Sequence, residues 1–137
     1  MLHKINSISA PTIVDIQIID PVLNERSYVE QRAVIEQKIK ENKDFAKSAF
    51  SNYLSKLDDI GELVKDVKDP KIQEQYRYAR EQADKIGDID QINDLNRLSQ
   101  LINWISDSYT TLQRFEVSIQ EALKAQLEND LKQDPVV

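Results

Sequence analysis

The sequence predicts an all-α protein, an elongated antiparallel helical hairpin or three-helix bundle with two long amphipathic helices, a shorter connecting helix and an extended N-terminal arm. Glycine scarcity is the first observation behind this reading. Only Gly61 and Gly87 occur in 137 residues, and the tight turns and bulges of sheet folds need glycine repeatedly. Composition is the second: apolar residues make up 40% and charged residues 31%, enough to fill one core but with more charge than a sheet sandwich carries. Third, apolar residues recur over long stretches at alternating steps of four and three, the coiled-coil-like spacing of a helix packed lengthwise on another. The length is that of one domain, divided into an arm, residues 1–24, and a helical bundle domain, residues 25–137.

In the arm, Pro11 and Pro21 bracket a β-branched run in which Val14, Ile16 and Ile18 alternate with Asp15 and Gln17. That is the period-two signature of a strand, and Asp20-Pro21 ends it. A lone strand leaves its backbone donors and acceptors unpaired, which points to strand addition onto a partner or exchange between copies.

From Ser27 a capping box with Glu30 opens the first long helix, expected over about residues 27–68. Its stripe is Ala46, Phe50, Tyr53, Leu57, Ile60, Val64 and Val67, extended backwards to Ile39 and Ile35 with Asn42 interrupting. Gly61 is its weak point and the expected place of a bend. Asp69-Pro70 reads as an N-cap with proline at the first helical position. The second helix carries Ile72, Tyr76, Ala79, Ala83 and Ile86, and Gly87 stops it. Asp88 or Asp90 should cap a third helix bearing Ile92, Leu95, Leu98, Ile102, Ile105, Tyr109 and Leu112, with Leu101 and Trp104 widening the face. Near Glu116 the stripe slips to Phe115, Ile119, Leu123 and Leu127, as a straight helix requires when 3.6 residues per turn drifts from 3.5. It should continue to about Gln133. Helices of some 40 residues are about 60 Å long, longer than the roughly 37 Å diameter of a compact globule of this chain length. The molecule is therefore expected to be elongated, with the first and third helices antiparallel. No internal repeat of solenoid length is present.

The net charge of −6 is spread evenly: residues 1–69 hold 10 basic and 12 acidic groups, residues 70–137 hold 8 and 12. Nucleic acid is a poor partner, because phosphate binding needs a basic footprint, and lysines 38, 40, 43 and 47 are interleaved with Glu36, Glu41 and Asp44. Without cysteine there is no disulfide, thiolate nucleophile or Cys-based zinc site. No run approaches the roughly 18 apolar residues of a membrane span, and the first residues lack the apolar core of a secretory signal. The expected location is cytoplasmic, with export without a cleaved signal left open.

Tests for chemistry return little. His3, the only histidine, has neither a nucleophile nor an orienting carboxylate beside it. Asp84, Asp88, Asp90 and Asp94 fail the calcium-loop template: a loop starting at Asp88 puts Ile92 at a ligand position, Asn93 where glycine must turn and Ser99 where a bidentate glutamate should close. Helix capping explains these aspartates better. Asp58, Asp59 and Glu62 fall within one turn as a solvated face, and no glutamate is followed by histidine at the spacing of a di-iron bundle. The reading is of no catalytic residue, no cofactor, no metal and no small-molecule substrate.

Binding remains. The residues expected to meet a partner are Val14, Ile16 and Ile18 in the arm, Tyr78 and Trp104 beside their helical stripes, and Leu101 on the broad face of the third helix. That face is wider than a two-stranded seam needs. The expected function is a non-enzymatic helical interaction module, self-assembling or partner-binding, within a multiprotein assembly. An acidic inhibitor, antitoxin or immunity-type protein is the alternative, drawing its association rate from negative charge; a structural or cargo subunit of a secretion or phage assembly is a third.

Overall fold

A computed structural model describes residues 25–133, with side chains from residue 28 onward. The arm of residues 1–24, with Val14, Ile16 and Ile18, lies outside the described residues. Three α-helices make up the rest: α1 (Glu25–Val64), α2 (Pro70–Asp84) and α3 (Leu95–Gln133), with a 3-10 turn (Ile89–Gln91) before α3. The all-α class and the bundle are as the sequence predicts, and no strand occurs among the described residues.

Helix α1 begins at Glu25, two residues before the expected cap, so Ser27 lies inside the helix. Ala46, Tyr53, Leu57, Ile60 and Val64 are all buried, which is the predicted stripe. The helix stops at Val64 and not near residue 68, because Asp66 and Val67 donate backwards to Leu63 and Val64 in tight i→i−3 bonds that close the last turn. That turn drops Val67 into the core. Asp69 caps α2 as expected, accepting from the Lys71 amide at 2.9 Å beside Pro70.

Helix α2 buries Ile72, Ala79, Gln82 and Ala83. It ends at Asp84, and Gly87 reverses the chain at φ +73°, a conformation open to glycine without strain. The capping of α3 differs from expectation. Asp88 caps the 3-10 turn through the Asp90 amide at 3.0 Å, while Asp94 caps α3, accepting from the Asn96 and Arg97 amides at 2.8 and 3.1 Å. Ile92 therefore precedes α3. The irregular segment lets both Ile89 and Ile92 fold back into the core, which an earlier helix start on that register would not allow.

The relative direction of the long helices also differs. Lys43 meets Asn93 at 2.6 Å, Tyr53 packs on Trp104, Lys56 meets Glu116 at 2.7 Å, and the Lys68 amide donates to Gln126 Oε1. The numbers rise together, so α1 and α3 run parallel. Helix α2 is antiparallel to α1, with Arg80 on Asp58 at 2.7 Å and Tyr76 against Gly61. The reason is length: fifteen residues of α2 carry the chain back about 22 Å, so α3 starts again near the middle of α1. Helix α1 runs unbroken through Gly61, where the sequence suggested a weak point. A Cβ there would come within 2.5 Å of the Tyr76 hydroxyl, so the glycine admits the α2 ring to the surface of a continuous helix.

Candidate docking surface

Because α3 begins beside Lys43 and Lys47, the first four to five turns of α1 extend past the bundle. Lys43 donates to Asn93 Oδ1 and to the Asp90 carbonyl at 2.8 Å, and Lys47 pairs with Asp90 at 3.0 Å. These contacts pin the 3-10 segment to α1, and the Asp90 carboxylate, hydrogen-bonded to Lys47, raises that ammonium above its ordinary value. N-terminal to this clamp every side chain from Tyr28 to Lys38 is exposed.

That extension is not polar. Tyr28, Val29, Val34 and Ile35 are each 45–60% exposed. Tyr28, Ile35 and the half-buried Ile39 follow steps of seven and four, on the azimuth of the buried Ala46 and Tyr53. The core stripe thus continues about 27 Å N-terminal to the fully buried Ala46, with Ile39 still packed against the core. Val34 lies eleven residues, three turns, before Phe45, which is 59% exposed. From Val34 through Ile35 to Ile39 the apolar sector spans about 140° at 100° per residue, the width a helix needs to touch two neighbours.

The second part of the surface is a groove of about 790 Å³ between α1 and α3, lined by Phe45, Ala49, Asn52 and Ser55 of α1 and Ile102, Asn103, Ile105, Ser106 and Thr110 of α3. Helix α2 meets α1 through Asp58, Gly61, Glu62 and Lys65, about half a turn around from Phe45, Ala49 and Asn52, so the groove is on the side away from α2. No described element covers the groove. Its lining mixes apolar Phe45, Ala49, Ile102 and Ile105 with Tyr109 and short neutral polar side chains. In a chain with 31% charged residues, its charged lining is limited to Lys56 and Asp59, and Lys56 is held by Glu116, whose hydrogen-bonded carboxylate raises the lysine above its ordinary value. Depletion of charge at the centre, not bulk hydrophobicity, is the compositional mark of an interface.

Leu101 and Trp104, expected at a partner surface, are inside the bundle. Leu101 is 0% exposed and Trp104 7%; α3 packs on both α1 and α2, so its broad apolar face is used within the chain. The Trp104 ring meets Tyr53 at 5.7 Å and 57°. Both line a small cavity of about 10 Å³ with Ala79, Gln82 and Ser108. Tyr78 is half-buried against the core. The residues that reasoning from stripes missed are Val34 and Phe45, which sit off the stripe; their eleven-residue spacing was the available signal.

No metal-binding group of three or more His, Cys, Asp or Glu side chains occurs among the described residues. The acidic clusters are occupied otherwise: Asp88 and Asp94 are caps, Asp90 pairs with Lys47, Asp58 with Arg80 and Glu62 with Lys65. No described helix is long and apolar enough to cross a membrane.

Tyr53 gives one prediction. Burial pushes its phenol up to about 12, against about 10 in an unfolded chain. The folded-state value is the higher one, so its contribution is intact below pH 10 and is lost as pH rises towards 12, by about 3 kcal/mol. Tyr53→Phe should remove that part of the alkaline loss of stability; equal pH slopes for the two proteins in denaturant titrations would contradict it.

The chain matches no protein-family model, no curated protein and no solved structure.

Proposed function

We propose that this protein is a non-enzymatic interaction module that binds protein through α1. What carries the reading is the extension of α1: eleven consecutive exposed positions, residues 28–38, with the bundle's own apolar stripe running through them. A helix of this length without packing is marginal in water, and its apolar residues favour burial by about 1.5–3 kcal/mol for each large side chain fully covered. The groove beside it favours the same reading, being shaped for a helix and poor in charge. Leu57, Ile60, Leu112 and Phe115 hold the bundle together; Val34, Ile35 and Phe45 are available to a partner.

A photo-crosslinking side chain at position 35, activated in cells, tests this against the same side chain at position 113, exposed on α3. A discrete adduct from position 35 and none from 113 is the expected result. Identical diffuse labelling from both positions would contradict it.

A further inference from the structure

We infer that the partner is a second copy of this chain, and that each copy lays the N-terminal extension of α1 into the groove of the other. The inference rests on the reading of α1 as a docking helix and names what it docks on. The observation behind it is that extension and groove are consecutive on one helix. Residues 25–42 form the extension and residues 45–59 one wall of the groove, about 27 Å and 22 Å long. Two α1 helices packed antiparallel about a two-fold axis at Phe45 place each extension along the other's groove, with Ile35 opposite Ser55 and Tyr28 opposite Glu62, just past the groove's end. Both halves are satisfied by one symmetric contact. Such an interface closes as a dimer and does not propagate into a fibre.

Width and charge agree with this occupant. An extension seated as a fourth helix touches both α1 and α3 of the other copy, and its apolar sector of about 140° supplies a face for each. Two chains of net charge −6 repel at long range, so copies can meet only where charge is locally balanced. Residues 25–42 hold four acidic and four basic groups, and in the groove Lys56 is already neutralised by Glu116. Ala49, Asn52 and Ser106 are short, which lets a helix come close. Phe45, exposed on the monomer, sits at the axis where it meets its counterpart.

Light scattering of the purified full-length chain is the test, with Phe45→Cys as a geometric probe because the protein contains no other cysteine. The expected mass is twice 15.9 kDa, falling to 15.9 kDa in an Ile35→Asp, Phe45→Asp variant that keeps a cooperative unfolding transition. Oxidation should link Phe45→Cys chains rapidly and leave a Gln113→Cys control unlinked. A wild-type monomer at micromolar concentration, or a dimer unchanged by the double variant, overturns the inference. A monomer that still gives a discrete adduct at position 35 with a different protein overturns the self-docking alone; a monomer with no adduct overturns the docking helix as well.

Discussion

Leu57→Asp should abolish cooperative folding. Leu57 is fully buried in the C-terminal half of α1, between Tyr53 and Ile60 in the stripe facing the core. The change removes about 2–3 kcal/mol of apolar burial and places a carboxylate where no basic group is buried to pair with it. Desolvating that charge, or holding it protonated, costs several kcal/mol more. A domain of this size is stable by about 5–15 kcal/mol in all, and the two terms together consume most or all of that. Far-UV circular dichroism and urea titration read the outcome: a weak signal without a sigmoidal transition. A cooperative transition near the wild-type midpoint would mean that the α1 stripe is not the core.

Trp104→Ala should destabilise the bundle by about 3 kcal/mol, the low end for truncating a buried aromatic. The ring packs against Tyr53 at 5.7 Å, and such contacts add about 0.5–1.5 kcal/mol to the area buried. Its indole N–H has no hydrogen-bond partner among the described residues, so truncation also relieves an unsatisfied donor and offsets part of the loss. A change within ±0.5 kcal/mol in denaturant titration, the usual range for surface positions, would place Trp104 on the outside.

Trp104 also marks where the sequence stopped being legible. The buried positions of α1, from Ala46 to Val64, follow from spacing alone, since one face of a regular helix repeats in steps of three and four. The slip of α3 at Glu116 was readable for its first half: Phe115 and Ile119 are fully buried and Glu116 turns to Lys56, whereas Leu123 is half-buried and Leu127, further along the same stripe, is exposed. A wide apolar face, by contrast, says that a helix has two neighbours without saying whose they are. For α3 both are in the chain, which puts Leu101 and Trp104 in the core; for the N-terminal turns of α1 neither is among the described residues. That distinction depends on the relative direction and stagger of α1 and α3, set by the length of α2 and by the turn from Gly87 to Asp94. Periodicity carries no information about stagger. The same limit hid the groove, because Phe45 and Ala49 acquire meaning only beside Ile102 and Ile105.

The extension of α1 as a surface covered by another copy is tested most directly by amide hydrogen exchange over residues 25–42 of the full-length protein. At concentrations where the mass doubles, these amides should exchange slowly, as those of residues 46–64 do, and protection should vanish on dilution or in the Ile35→Asp, Phe45→Asp variant. Exchange at the rate of an unstructured peptide at every concentration, with residues 46–64 protected throughout, would contradict it.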